Sequence, residues 1–245
     1  MTNSLNNNFK IKKFLILLII LLIGVVYSFY VVNYPQDKIV ANYVSYNKIF
    51  KLLWQHIFLV LVSAGAAIIV SVPLGVLLTR PKFRRFTNLV VSIVNNGQTV
   101  PSLAILALFV SLLGVGFKSG VFALWVYSLL PILNNTLAGI LGVDKSILEA
   151  ARGMGMTPVK VLTKIEFPIS YPVITAGIRT AITINIGTAT LAAFIGAGGL
   201  GDLIIAGNNI NRWQIVILGA LLSALLAIFA DYLMGLVEAS LKNKY

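Results

Sequence analysis

Six long apolar stretches dominate the sequence and determine what kind of fold it can adopt. Each is long enough for one helical crossing of a bilayer, which needs ~20 apolar residues. They cover Phe14–Val32, Ile57–Leu78, Leu89–Leu113, Gly120–Gly142, Ile174–Ala197 and Gln214–Leu241. The 245-residue chain is 58% hydrophobic and only 11% charged, whereas a soluble domain carries about 25% charged residues. We therefore expect an all-α, polytopic transmembrane bundle with six spans.

The first apolar stretch follows three lysines, which is also the pattern of a secretory signal peptide. However, its apolar run is longer than that of a signal peptide, and no small-x-small cleavage site follows in Val25–Tyr30. We interpret it as an uncleaved anchor helix.

The basic residues indicate which side of the membrane is cytoplasmic, because lysine and arginine concentrate in cytoplasmic loops. With the N-terminus inside, that side holds fourteen of the 19 basic residues. The outer side holds only Lys38, Lys48, Lys51, Lys118 and Arg212. We therefore predict that both termini are cytoplasmic, which an even number of spans requires.

The longest hydrophilic connection, Val143–Pro172, lies on the predicted cytoplasmic side. Ser146 and Glu149 have the spacing of a capping box, so we predict that a first helix has Ser146 as its N-cap. This helix should end near Gly153–Gly155. Thr157 and Pro158 then predict the N-cap and first residue of a second helix.

The second helix should end before Pro168, because the residue preceding a proline disfavours the helical region. Both helices carry an apolar face, which allows two interpretations of the loop. It could be an amphipathic linker lying on the membrane surface, or it could dock onto a cytoplasmic partner.

A motif in this loop resembles a known family. Glu149-Ala150-Ala151 is followed by three residues, Gly155, nine residues and Ile165-Glu166-Phe167-Pro168. This is similar to the EAA loop of bacterial ABC importer permeases, E-A-A-x3-G-x9-I-x-L-P, with Phe167 where the family usually has leucine. In that family the loop inserts into a cleft of the ATPase subunit and transmits its closure to the transmembrane helices. The resemblance implies a coupling role for Glu149, Ala150, Ala151, Gly155, Ile165 and Pro168.

Further segments resemble permeases for osmoprotectants such as glycine betaine, carnitine and choline. They are Gln98–Ala104, Gly177–Thr180, Asn185–Phe194 and Ile195–Asp202. The Gly-Ala-Gly-Gly-Leu-Gly-Asp part of the last segment also resembles methionine permeases. The resemblance implies a permease domain over residues 51–245, with coupling loop 143–172, after an anchor helix and outer loop over residues 1–50. It implies import of a small osmoprotectant across a bacterial cell membrane, with an amino acid such as methionine as the alternative.

The resemblance also implies partners. No GxxxxGK[ST] phosphate loop occurs in the chain, so energy would come from a separate ATPase. In the resembled importers two ATPase subunits act on two permease subunits, identical or homologous, and an extracytoplasmic binding protein delivers the substrate. We expect a transport subunit in the lipid bilayer with no catalytic residues, no metal, no cofactor and no nucleic acid partner.

Polar residues inside the predicted spans are candidates for a translocation path, because polar groups in hydrocarbon usually face the bundle interior or a water-filled cavity. Gly97 and Pro101 predict that the third span, Leu89–Leu113, is an irregular helix. Hydrogen bonding between helices is the alternative explanation for each polar residue. The path candidates are Asn95, Gln98, Thr99, Asn135, Thr183, Asn185 and Thr188.

Two charges within the predicted spans should form an ion pair. Counted from the cytoplasmic ends of the fifth and sixth spans, Arg179 and Asp231 lie at depths of about 8 and 15 Å, at ~1.5 Å per residue. An arginine side chain can bridge that difference. An isolated charge at mid-membrane costs about 2.5–3.5 kcal/mol on insertion scales, so each gains from a partner. We predict a structural role for this pair.

Two other classes of membrane protein fit the sequence less well. A stand-alone secondary transporter typically has internal repeats, which this chain lacks. An intramembrane enzyme would need a catalytic constellation, but cysteine and HExxH are absent and the sole histidine, His56, has no nearby carboxylate in the sequence.

Overall fold

Helices make up the regular structure in the part of the chain that the structure describes. This computed structural model describes residues 2–242, with side chains for residue 15 and residues 18–241. The α-helices within these residues are, in chain order, α1 (Thr2–Asn33), α2 (Lys38–Tyr43), α3 (Tyr46–Leu78), α4 (Thr87–Thr99), α5 (Ser102–Leu113), α6 (Phe117–Leu141), α7 (Lys145–Gly153), α8 (Pro158–Val161), α9 (Phe167–Ala192), α10 (Gly201–Asn209) and α11 (Trp213–Lys242). The prediction of an all-α fold is confirmed.

Four of the six predicted stretches lie, apart from the last one or two residues of two of them, within single helical segments that are long and apolar enough to cross a membrane. These segments are Tyr46–Leu78, Phe117–Leu141, Pro158–Ile195 and Trp213–Leu241. The first predicted stretch lies in α1, in which Leu18–Asn33 is apolar. By length and composition, the described residues hold four spanning helices, or five if the bent pair α4–α5 is one span. Six crossings with cytoplasmic termini stay a prediction.

The third predicted stretch, Leu89–Leu113, is not one straight helix. Its two halves, which end at Thr99 and begin at Ser102, differ in direction by 99°. Pro101 has no N–H to donate and keeps the preceding residue out of the helical region. Val100 accordingly has an extended backbone, with ψ 131°. The irregularity expected from Gly97 and Pro101 is present as a sharp bend.

The centre of the bundle is α6, which packs along α3 and along α9. Glycine makes the contact with α9 very close. A Cβ atom at Gly177 would lie 2.5 Å from the Cβ of Asn135 and 2.7 Å from the carbonyl oxygen of Pro131. Because TM helices associate through close van der Waals packing rather than through the hydrophobic effect, this contact should contribute strongly to stability.

Replacing Gly177 with alanine should therefore destabilise the bundle. The added methyl group has to push α6 and α9 apart, and overpacking of this kind costs about 1–3 kcal/mol. Gly187→Ala on the same helix is the matched control, because no atom lies within 4 Å of its added Cβ. We expect a lower melting temperature in detergent for Gly177→Ala alone. Equal melting temperatures for the two variants would show that the α6–α9 contact is not tight.

The N-terminal region is fastened to the rest of the chain at one end of α11. Arg212 Nε lies 2.5 Å from Asp37 Oδ2, and Gln214 Oε1 accepts a hydrogen bond of 2.8 Å from the backbone N–H of Gln36. Hydrogen bonding from the backbone N–H of Val40, followed by the Arg212 guanidinium, lowers the pKa of Asp37. Asp37 is thus the N-cap of α2 and the ion-pair partner of Arg212 at once.

The prediction that Ser146 caps the first loop helix is wrong. The N-cap of α7 is Asp144, whose Oδ1 accepts a hydrogen bond of 2.8 Å from the backbone N–H of Ser146. This bond also lowers the pKa of Asp144. Aspartate and serine are about equally good N-caps, and the aspartate comes first along the chain. The other predicted cap is confirmed, because the Thr157 hydroxyl accepts a hydrogen bond of 3.4 Å from the backbone N–H of Lys160.

The prediction that the second loop helix ends before Pro168 is also wrong. A five-residue π-helical turn, Leu162–Glu166, joins α8 to α9, so helical structure continues from Pro158 to Ile195. The N–H of Phe167 donates to the carbonyl oxygen of Leu162, five residues earlier. Proline clashes with the carbonyl four residues before it in a regular helix. The wider π turn places Pro168 at the start of the following α-helix, where proline is tolerated.

Candidate coupling loop and translocation path

The loop that carries the EAA motif presents apolar side chains to its surroundings. In α7, Glu149 and Ala150 are exposed, whereas Ala151 is buried. Met154 and Val159 are 75% and 70% exposed and lie next to the turn between α7 and α8. Large exposed apolar residues between charged ones are typical of a surface that a protein partner covers. Of the remaining motif residues, Ile165 lies in the π turn and Pro168 at the start of α9, both half-buried.

Gly155 is needed for its backbone conformation. Its φ is +78°, in the left-handed region that glycine adopts most easily, and no atom lies within 4 Å of an added Cβ. Its N–H donates to the carbonyl of Arg152 at 2.9 Å, and the N–H of Met156 donates to that of Ala151 at 3.1 Å. Gly155 thereby ends α7 and turns the chain towards α8.

The bend between α4 and α5 is held against α6. Gln98 Nε2 donates a hydrogen bond of 2.5 Å to the carbonyl oxygen of Tyr127, and the Tyr127 hydroxyl donates to that of Val100. The second bond satisfies the Val100 carbonyl at the break, and the first satisfies the Tyr127 carbonyl in α6, four residues before Pro131, which has no N–H to donate. Asn95 and Thr99 are exposed on α4, next to this anchor. Sequence reasoning missed the role of Tyr127 at the bend, since an aromatic residue in a span usually only packs.

The three candidates on α9 differ in burial, since Thr183 and Thr188 are partly accessible and Asn185 is buried. Thr183 and Thr188 are half-buried, and each hydroxyl donates to the carbonyl four residues earlier at 3.0 Å. Thr180, Ile184 and Gly187 are exposed beside them, so this face of α9 is open. Asn135 on α6 is half-buried and bonds to the carbonyl of Pro131 at 2.8 Å.

Asn185 belongs to the interior of the subunit and not to its open face. It is fully buried, and its Nδ2 donates to Ser63 Oγ at 3.0 Å and to Ser128 Oγ at 2.7 Å. These bonds join α9 to α3 and α6. The alternative explanation, hydrogen bonding between helices, therefore describes Asn185 in this structure. Its Oδ1 has no hydrogen-bond partner within the described residues.

His56 has a structural role that the sequence did not indicate. It is fully buried, and its Nδ1 accepts a hydrogen bond of 3.2 Å from the backbone N–H of Leu200. Nε2 then carries the proton and donates to the carbonyl of Ile186 at 3.0 Å. The ring thus joins α3, α9 and the glycine-rich segment before α10. In the described residues no group of His, Cys, Asp and Glu side chains could hold a metal ion.

Arg179 and Asp231 are in contact, as the sequence predicts. Nε and one terminal nitrogen of Arg179 each lie 2.6 Å from a different oxygen of Asp231. Such bidentate pairs are the strongest arginine–carboxylate contacts. Glu238, which the sequence analysis did not include, joins the cluster at 3.2 Å from the third guanidinium nitrogen.

Comparison with known proteins assigns this chain to a family. The family described as "Binding-protein-dependent transport system inner membrane component" matches residues 71–243. The chain belongs to this family. It is therefore a multi-pass protein of the cell membrane and a transport subunit, not an enzyme. Membership implies an ATPase partner and a substrate-binding protein.

Several curated relatives are similar to this permease over most of its length. The choline transport system permease protein OpuBB of Bacillus subtilis (strain 168) is 48% identical over 188 residues, 77% of this chain and 86% of the relative. The glycine betaine/carnitine/choline transport system permease protein OpuCB of the same organism is 47% identical over 190 residues, 78% and 87% of the two chains. The osmoprotectant import permease protein OsmY of Salmonella typhimurium is 44% identical over 181 residues, 74% and 77% of the two chains.

The fold of the permease also occurs in a solved structure. The inward-facing MetNI methionine ABC transporter in its CY5 native crystal form matches with a TM-score of 0.74 and 20% sequence identity. The match covers 81% of this chain and 99% of that chain. At this level of identity the match shows the fold alone.

The members of the charge cluster, Arg179, Asp231 and Glu238, should contribute unequally to the stability of the folded permease. Arg179→Ala leaves two carboxylates without their arginine, whereas Asp231→Ala leaves Arg179 next to Glu238. We therefore expect a larger loss of folded yield in detergent for Arg179→Ala, and a double variant that costs clearly less than the sum of the two single losses. Additive losses would show that the contact does not stabilise the pairing of α9 with α11.

Proposed function

We propose that this permease subunit imports small osmoprotectants, namely quaternary ammonium compounds such as choline, glycine betaine or carnitine. The observation that carries the proposal is the sequence identity of 41–48% to permeases whose names specify these compounds, over at least 71% of this chain. The methionine alternative has in its favour the fold and the short Gly-Ala-Gly-Gly-Leu-Gly-Asp resemblance, since the methionine transporter is only 20% identical.

The permease domain of the proposed transporter comprises residues 51–245, and residues 1–50 form an anchor helix with its outer loop. The path is lined by Asn95, Gln98, Thr99, Asn135, Thr183 and Thr188. These residues lie on α4, α6 and α9, and Asn95 and Thr99 are exposed in the isolated subunit. Asn185, though buried in this structure, stays a candidate for a state in which the helices rearrange.

A second permease subunit, identical or homologous, closes this path on the other side. The exposed residues on α4 and α9 support this proposal, because polar groups at membrane depth have to face protein or water and not lipid. Two ATPase subunits, one for each permease subunit, supply the energy.

The coupling surface for the ATPase is formed by Glu149, Ala150, Ala151, Gly155, Ile165 and Pro168. Support comes from the exposed apolar residues around the α7–α8 turn and from the left-handed Gly155. A docking helix needs a fixed end, and the glycine provides it without strain.

Uptake by the complete transporter tests the substrate class. The permease would be expressed with its own ATPase and binding protein in a strain that has lost its osmoprotectant importers. We expect ATP-dependent accumulation of radiolabelled choline, glycine betaine or carnitine that excess methionine does not reduce. Accumulation of methionine, with none of the quaternary ammonium compounds, would contradict the proposal and favour the amino-acid alternative.

Substitution of glycine tests the coupling surface. Gly155→Asp places a side chain in the left-handed region, which costs roughly 1–2 kcal/mol for an L-residue, and adds a charge to an apolar contact. We expect uptake to be abolished while the protein still reaches the membrane. Gly153→Ala is the matched control, because Gly153 has ordinary φ and open space around its Cβ. Normal uptake by Gly155→Asp would exclude the turn from coupling, and so would equal losses in both variants.

A further inference from the structure

An ion pair joins the coupling loop to the end of α3. Arg80 lies two residues beyond α3, and Glu166 is the last residue of the π turn before α9. A terminal nitrogen of Arg80 lies 2.5 Å from Glu166 Oε2. The Glu166 side chain is only 7% exposed, so water competes little for this carboxylate. A charge buried to this degree is retained in a fold only when it is paired.

The guanidinium of Arg80 is itself held in position. Its Nε and a terminal nitrogen donate to Thr79 Oγ1 at 3.1 and 2.8 Å, and the Thr79 hydroxyl donates to the carbonyl of Val76 at 2.7 Å. The ion pair is therefore connected through Thr79 to the backbone of α3. A displacement of Glu166 is resisted by the helix and not only by a flexible side chain.

Glu166 lies where the helix from α8 to α9 is weakest. The regular hydrogen-bond ladder is replaced by the π turn Leu162–Glu166, and Pro168 and Pro172 have no N–H to contribute to the next turns. Proline and π turns are the usual places where helices bend. A force applied to α7 and α8 would bend the helix at this place unless something supports it.

On the side that faces α3, side-chain packing leaves this place partly unsupported. An apolar hollow of about 600 Å³ lies between α3 and the π turn, and Val72, Val76, Leu162 and Phe167 are among its lining residues. Arg80 lies at the same hollow. The ion pair thus spans a region in which the two elements are not tightly packed.

We propose that Arg80 and Glu166 are positioning residues that brace the π turn against α3. With the brace in place, movement of α7 and α8 by the ATPase is transmitted to α9 and its candidate path residues. Without it, the movement is lost as bending at the π turn. This inference rests on the proposed function, because it requires that the loop docks onto an ATPase.

The test uses the complete transporter, reconstituted with its ATPase and binding protein. Arg80→Gln and Glu166→Gln each remove one charge with little change of shape. We expect that basal ATPase activity stays, while stimulation by the loaded binding protein and uptake both fall about five- to tenfold, the lower range of coupling between sites. Arg80→Lys should retain most of the coupling, because an ammonium can replace the single nitrogen that contacts Glu166.

A matched control separates the pair from the general charge of the loop. Arg84→Gln makes the same charge change four residues later, at an exposed side chain that forms no ion pair with any described residue. This variant should retain normal stimulation of the ATPase by the loaded binding protein and normal uptake. An equal loss of coupling in Arg84→Gln would overturn the brace in favour of a general charge effect.

A second readout needs no transported substrate. Because the chain has no cysteine, Thr188→Cys gives one reactive thiol on α9 whose labelling can be compared with and without trapped nucleotide. The nucleotide-dependent difference should be lost when Arg80→Gln or Glu166→Gln is added. All measurements are made per assembled complex, isolated by size exclusion. Unchanged stimulation and an unchanged labelling difference in these variants would overturn the proposal. If the parent complex imports no osmoprotectant, the proposed substrate is wrong, and the thiol readout still decides the brace.

Discussion

The hydrocarbon core of a bilayer offers no hydrogen-bond partners, so each backbone N–H and C=O of a spanning segment has to be satisfied within the protein. The chain meets this requirement with long helices, and the important places are those where a helix is interrupted. At Val100–Pro101 the break is covered by Gln98 and Tyr127. Before Pro168 a π turn accommodates the interruption of the helix. One interruption lies beside the candidate path and the other beside the coupling loop, so the backbone is irregular where the proposed function requires movement.

The polar side chains of the interior lie at junctions between helices. Asn185 joins three helices, His56 joins two helices to the glycine-rich segment, and Arg179 joins α9 to α11. Most of the remaining core is apolar and close-packed through small residues such as Gly177. Such contacts are tight, but they depend little on the orientation of the side chains. The few polar contacts therefore fix the relative rotation of the helices, and α9 takes part in all three. That arrangement suits a helix that passes movement from the loop to the path.

Much of this fold could be predicted from the sequence, for reasons that particular residues show. Apolar length predicted the four helices that are long enough to span, and the depths of Arg179 and Asp231 predicted their contact because helical rise is constant. The cap at Asp144 was missed because two good N-cap residues lie two positions apart, and the π turn because proline before a helix is ordinarily a stop signal. Asn185 could not be separated from Thr183 or Thr188, since polarity shows that a residue avoids lipid but not whether it faces its own bundle or a path. The Arg80–Glu166 pair was hidden because a basic loop residue is first interpreted as a topology signal.

The candidate path residues are uncharged, which fits the proposed import of quaternary ammonium compounds. A fixed carboxylate in the path would attract a quaternary ammonium group strongly in a low-dielectric site and would slow its release. Asp231 and Glu238, which lie near α9, are instead paired with Arg179, so their attraction for a passing cation is reduced. Hydroxyl and amide groups offer weaker interactions that water can replace as the substrate moves. Strong recognition then belongs to the substrate-binding protein, which has to capture a dilute compound, while the permease has to let it go. In the proposed transporter, the pairing of Asp231 and Glu238 with Arg179 would also weaken the attraction of these carboxylates for a cationic substrate.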